Sequence, residues 1–161
     1  MSIKNELISR IIPPATREFR EDFDNTHVID KLNDQEKDYV EDELLKLTKH
    51  KFDLLVIETL LYLKSKKAVA VFKRLLKVES NLSYRILLAS AIYELDSSNA
   101  KVEDIAINAF NKLEDKYSIG LAFYDLAKFN SSKVIRIIKN HFNHGEFYVS
   151  YHAKESLRSI S

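Results

Sequence analysis

Cysteine and tryptophan are absent from this 161-residue chain, and glycine and proline occur only twice each. Without cysteine there can be no disulfide, no thiolate metal site and no cysteine nucleophile. Two glycines cannot build a glycine-rich phosphate loop or the nucleophile elbow of a serine hydrolase. They also leave too few turn residues for a sheet-rich fold. No apolar run approaches the roughly 20 residues that a membrane span requires. The stretch MSIKNELISRII has neither the apolar core nor the cleavage site of a signal peptide. The cysteine-free composition suits a reducing compartment. The expectation is a cytoplasmic, all-helical protein without cofactor or metal, in one domain spanning 1–161.

What the chain does have is charge, 30% of its residues, balanced to a net of +1. The balance is uneven along the sequence. From Glu18 to Glu43 eleven acidic residues face three basic ones, a net of −8. From Leu44 to Leu88 ten basic residues face three acidic ones, a net of +7. Blocks of this kind can steer a charged partner.

Apolar spacing predicts a first helix over residues 2–12 with Ser2 as N-cap, stopped by Pro13-Pro14. A second helix is expected over 15–24, with Phe19 and Phe23 on one face, then a short one ending near Leu32. Asn33-Asp34 should cap a longer acidic helix reaching about Lys49, with Val40, Leu44, Leu45 and Leu47 inward. Beyond it lies a repeat. Leu32, Leu63, Leu95, Leu126 and Leu157 recur at intervals of 31 or 32. Four residues before each stands Val28, Thr59, Ala91, Ala122 or Ala153, small enough to admit a neighbouring helix. Each unit then reads as an outer helix followed by an inner helix ending at the leucine. Polar breaks at 64–66, 96–99 and 130–132 supply caps, and Gly145 is a candidate left-handed residue closing a helix.

Stepping 100° per residue from each leucine sorts the inner helices into faces. Leu60, Ile92, Phe123, Val56, Leu88 and Ile119 point inward. Ile57, Ala89, Gly120 and Tyr151 lie on the flank toward the next unit, where Gly120 implies close packing. The opposite face gathers Glu58, Tyr62, Ser90, Tyr93, Glu94, Tyr117, Tyr124, Asp125, Tyr148, His152 and Glu155. Inner helices of stacked pairs line a concave surface, where such arrays bind. Tyrosines among carboxylates suit protein recognition. The candidate partner-binding residues are therefore Glu58, Tyr62, Tyr93, Glu94, Tyr124, Asp125, Tyr148 and His152. Asp34, Asp38 and Glu41 of the acidic block join them. The same tyrosines could instead pack between units.

The segments L-x-x-L-K-S-K-K-A-V-A-V-F-K-R-L-L and L-N-D-Q-E-K-D-Y-V-E-D-E-L-L resemble the HEAT and armadillo-like repeat family, over roughly Asp24 to Ser161. The period is shorter than the roughly 40 residues of that family, and its usual proline and arginine are missing. The resemblance implies an α-solenoid, a HEAT-like superhelix of about four helix pairs with an N-terminal helical cap. It carries no catalytic residues across. The compact size and acidic block also resemble small helical-repeat immunity proteins of bacterial toxin systems, contact-dependent growth inhibition among them. That resemblance implies a non-catalytic protein, monomeric when free, that neutralises a cognate toxin. A basic nuclease toxin would explain the acidic block. A general scaffold or adaptor is the alternative. A nucleic-acid-binding HEAT-like protein is another, since some alkylpurine DNA glycosylases are HEAT-like.

Two further clusters carry side chains that can do chemistry. His141, His144, Glu146 and His152 have metal-like spacing only if a helix runs through His144, and Gly145 argues against that. Lys64, Lys66, Lys67, Lys73, Arg74, Lys77 and Arg85 could track phosphates, but the acidic block would repel a nucleic-acid backbone. Glu41-Asp42-Glu43 is expected to be a solvated helix face.

Overall fold

The computed structural model describes residues 3–49 and 51–160. Eleven α-helices and no strand are found among the described residues. The chain divides into two compact units between Val71 and Phe72. The first holds α1 (Ile3–Ile11), α2 (Arg17–Arg20), α3 (Thr26–Ile29), α4 (Asp34–Leu47) and α5 (Leu54–Tyr62). α6 (Ala68–Val78) contains the division point. The second holds α7 (Leu82–Leu95), α8 (Lys101–Phe110), α9 (Lys116–Ala127), α10 (Ser132–Lys139) and α11 (Phe147–Arg158).

In the first unit, α1 ends where Pro13 and Pro14 remove backbone donors. The N-cap expected at Ser2 lies outside the described residues. The helix expected over 15–24 is a single turn, because Glu21 is already extended (φ −63°, ψ 123°) and Asp22 then takes a left-handed φ of 56°. Phe19 is consequently half-exposed and builds no core. Buried Asn25 ties three segments together. Its side-chain amide donates to Ile11 O at 2.9 Å and to Thr59 Oγ1 at 2.8 Å. Thr59 in turn donates to Leu55 O at 2.7 Å. Arg20 adds a second tie, donating twice to Pro13 O and once to Asp53 Oδ1 at 2.7 Å.

α4 starts as its sequence dictates. Asn33 accepts from Glu36 N at 3.0 Å while the Glu36 carboxylate accepts from Asn33 N at 2.9 Å, a complete capping box. Val40 and Leu44 are buried, but Leu47 is exposed in the last turn. α5 closes with Lys64 at φ 55°. Ser65 N donates to Leu60 O and Lys64 N to Leu61 O, the bond pair of a Schellman motif.

In the second unit α9 packs against both α7 and α11, α8 packs on α7 and α9, and α10 packs on α9 and α11. Asn81, Asp115 and Ser131 cap α7, α9 and α10 with side-chain oxygens. α8 lacks such a cap. There the Asp96 carboxylate organises the turn instead, accepting from Ser98 N, Ser98 Oγ and Asn99 Nδ2. Gly145 does not adopt a left-handed conformation; Asn130, at φ 47°, does.

The repeat is carried by its small residues more than by its leucines. Val28, Thr59, Ala91, Ala122 and Ala153 are all buried. Leu95 and Leu126 are buried as well, whereas Leu32, Leu63 and Leu157 are half-buried. Among the expected inward residues, Leu60, Ile92, Phe123, Val56 and Leu88 are fully covered, and Ile119 partly so. Gly120 makes a close helix contact. A β-carbon there would lie 2.5 Å from Tyr148 Cε1 and 3.4 Å from His152 Cδ2, so only glycine lets α11 approach α9 this closely.

Candidate functional site

The expected binding residues fall into two groups, one in each unit. In the first, Asp34, Asp38 and Glu41 stand on successive turns of α4. With Lys37 and Leu63 they line a depression of about 250 Å3. Lys37 and Leu63 also line a second depression of about 560 Å3, together with Asp30 and Tyr62. The Tyr62 hydroxyl donates to Asp30 Oδ1 at 2.7 Å. That bond, then burial and the carboxylate charge, raise the Tyr62 pKa above the ordinary tyrosine value. Glu58 is exposed on α5.

The acidic block is less solvated than expected. Lys67 Nζ lies 3.0 Å from Glu41 Oε2 and 3.0 Å from Asp42 Oδ1, and Lys46 pairs with Glu43 at 2.5 Å. The basic stretch thus folds back to neutralise part of the acidic one, leaving Asp34 and Asp38 as exposed carboxylates at the rim. An adjacent opposite charge is the cause, and linear charge counting cannot see it.

In the second unit the remaining residues form a connected surface. Tyr93 packs its ring on Phe129 at 5.0 Å. Lys128 bridges Glu94 at 3.5 Å and Asp125 at 3.3 Å. Burial raises the Asp125 carboxyl above its ordinary pKa, against the opposing pull of Lys128. The Tyr124 hydroxyl and His152 Nδ1 share a hydrogen bond of 2.8 Å. Burial first, then the Glu155 charge, raise the Tyr124 pKa. Tyr148 sits 4.3 Å from the His152 ring and 5.0 Å from the Tyr117 ring. The inner-face assignment fails at Ser90, which is buried and donates to Leu87 O.

Several exposed apolar residues beside this surface were not singled out as binding residues from the sequence. Leu121 follows Tyr117 by one turn on α9, and Phe147 stacks on Tyr151 at 5.8 Å on α11. Leu121 carries no chemical flag, and an exposed leucine reads in sequence like a core leucine.

The histidines have other partners. His141 bonds to Ile137 O at 2.9 Å through Nδ1, and its ring packs on Phe110 and Phe123. His144 Nδ1 accepts from Glu146 N at 3.1 Å. Among the described residues no group of three or more His, Asp or Glu side chains is arranged to hold a metal ion. Of the basic stretch, Lys67 is paired and Arg85 donates to Leu76 O and Glu79 O. Lys73, Arg74 and Lys77 are exposed on α6. Among the described residues no helix is long and apolar enough to cross a membrane. Comparison with protein-family models, with curated proteins and with solved structures finds no match for this chain.

Proposed function

We propose that the helices form a HEAT-like α-solenoid of about four pairs with an N-terminal cap, and that the chain is a non-catalytic protein-binding module. The best-supported role is a cytoplasmic immunity protein that neutralises a cognate toxin of the contact-dependent growth inhibition type. Its partner in this reading is a basic toxin domain such as a nuclease. The alternating packing of α7, α9 and α11 with α8 and α10 supports the solenoid.

One observation carries the functional reading. Asp34 and Asp38 stand exposed on one depression, and Tyr62 lines the depression that shares Lys37 and Leu63 with it, so carboxylates and an aromatic ring are presented side by side to a cationic surface. Carboxylates on the rim accelerate encounter, and aromatic side chains slow release. A scaffold or adaptor would use the same surface with a different partner.

The test is co-expression with the protein encoded by the adjacent gene. The reading expects a stable complex in which a toxic activity of that protein is suppressed. It fails if the two proteins do not associate, or if this chain itself cleaves or modifies nucleic acid.

A further inference from the structure

In the second unit α6 (from Lys73 on), α8 and α10 carry charge of nearly one sign. α6 and α10 have no acidic residue. α8 adds Lys101 and two carboxylates, Glu103 and Asp104. Seven cations therefore stand against two acids. Both acids are already taken. Glu103 accepts from Ser131 Oγ, and Asp104 pairs with Lys133 at 2.6 Å. Lys73, Arg74, Lys77, Lys101, Arg136 and Lys139 are all exposed, and none has an ion-pair or side-chain hydrogen-bond partner among the described residues. Helix geometry aligns them. Lys73 and Lys77 are one turn apart on α6 with Arg74 beside them, and Arg136 follows Lys133 by three residues on α10. The helices are also neighbours. Lys73 and Lys101 line one depression of about 440 Å3, and the bonds of Ser131 and Lys133 join α10 to α8. Carboxylates in the adjoining turns are held by their own loops. Asp96 accepts from Ser98 and Asn99, and Glu79 from Asn81 N. Lys112 and Glu114, after α8, offset one another in charge.

We propose that this basic face binds the sugar-phosphate backbone of double-stranded DNA, without regard to base sequence. Unpaired cations are what such binding needs, because each phosphate they neutralise releases condensed counterions. Arg74 and Arg136 can also grip a phosphate through two parallel hydrogen bonds. The layout favours a duplex. Neighbouring packed helices lie about 8–10 Å apart. That falls between the groove widths of about 6 and about 12 Å that separate the phosphates of the two strands. Cations on three adjacent helices thus reach both strands, whereas an acidic peptide would follow one row. A single strand is held largely by aromatic stacking, and none of the exposed aromatic residues lies on α6, α8 or α10. A lipid surface asks for apolar side chains beside the cations. On these helices Val78, at the end of α6, is the one large exposed apolar residue. The carboxylates of α4, which argue against nucleic acid in the linear sequence, belong to the first unit. Such binding does not depend on the toxin partner.

Fluorescence anisotropy of an end-labelled duplex of about 20 base pairs and arbitrary sequence, titrated with the full chain, tests this. The expected dissociation constant is about 1–100 μM near 0.15 M salt, with a log–log salt slope of about −3 to −5, roughly 0.9 per phosphate contacted. Arg74→Glu and Arg136→Glu, on different helices, should each weaken binding about fivefold or more and flatten the slope by about one. Lys154→Glu changes the net charge equally from an exposed site on α11, and should weaken binding less than about twofold. All three sites are exposed, so circular dichroism should be unchanged. No binding to the duplex at about 0.05 M salt and about 200 μM chain overturns the proposal. So does a Lys154→Glu variant that loses as much as the other two, since net charge alone would then be at work. Tighter binding to a single strand of the same length also overturns it. Binding to vesicles of phosphatidylserine and phosphatidylcholine, without binding to the duplex, would assign the face to lipid and overturn it as well.

Discussion

Tyr148 lies against Gly120 so closely that a β-carbon on the glycine would come within 2.5 Å of the tyrosine Cε1. This contact sets how near α11 comes to α9. It also brings the Tyr148 and His152 rings against the α9 backbone.

Gly120→Ala should therefore destabilise the fold by about 1–3 kcal/mol, the usual cost of overpacking, despite the better helix propensity of alanine. Gly145→Ala is the matched control, since nothing lies within 4 Å of its added β-carbon and its φ is not positive. It should change stability by less than about 1 kcal/mol. Urea denaturation monitored by far-UV circular dichroism separates the two.

Asn25 is the polar centre of the first unit. Asn25→Ala leaves the carbonyl of fully buried Ile11 without this donor and removes the bond to Thr59. The expected loss is about 2–4 kcal/mol, because a buried acceptor without a partner keeps its full desolvation cost. Thr59→Val removes only one of the two bonds from the amide, and should cost about 1–2 kcal/mol. A smaller effect at Asn25 than at Thr59 in the same denaturation experiment would contradict this ranking.

Two carboxylates should respond to pH with opposite sign. At Asp53 burial alone would raise the pKa. The hydrogen bond and charge of Arg20, with the backbone N–H groups of Val56 and Leu55, outweigh burial and lower it. Its stabilisation is present above the ordinary aspartate pKa of about 3.9 and is lost as pH falls through the lowered folded value. Asp53→Asn should thus cost about 1–2 kcal/mol at neutral pH, and little at a pH below both values. Asp125 is raised, chiefly by burial, so its protonated form is favoured in the fold. Its contribution is largest below about pH 3.9 and is lost as pH rises through the folded value. Asp125→Asn should leave stability at neutral pH unchanged or higher. Stability-against-pH curves for both variants should therefore meet the parent at low pH and depart from it in opposite directions toward neutral pH.

The repeat leucines differ in depth, and mutation should rank them. Leu95 is 3% exposed, and Leu95→Ala should cost about 2–5 kcal/mol. Leu157 is half-buried near the end of α11, and Leu157→Ala should cost about 1–2 kcal/mol. Equal losses would contradict the burial pattern.

That ranking shows which parts of the molecule were legible in its residues. The helical class, the Asn33 N-cap of α4 and the proline stop after α1 follow from local chemistry and apolar spacing. Val28, Thr59, Ala91, Ala122 and Ala153 are all buried, as a small residue one turn before a leucine suggests. The unequal burial of the leucines was not legible, since cover over Leu63 or Leu157 depends on distant residues. The second helix was overextended because Phe19 and Phe23 have helical spacing, yet Asp22 turns left-handed between them. At the candidate site, Asp34, Asp38 and Glu41 do line one depression. The capture of Glu41 and Asp42 by Lys67, 25 residues or more away, is tertiary and leaves no local trace.

The most direct measurement of the proposed binding role is the rate of association with the protein encoded by the adjacent gene. Asp34→Lys together with Asp38→Lys should lower the association rate about tenfold at low salt and flatten its salt dependence, with little change in dissociation. Tyr62→Ala should instead raise the dissociation rate by about tenfold, as loss of an aromatic anchor does. Folded variants that associate and dissociate at the parent rates would contradict the assignment of this surface and, with it, the proposed role of the acidic block.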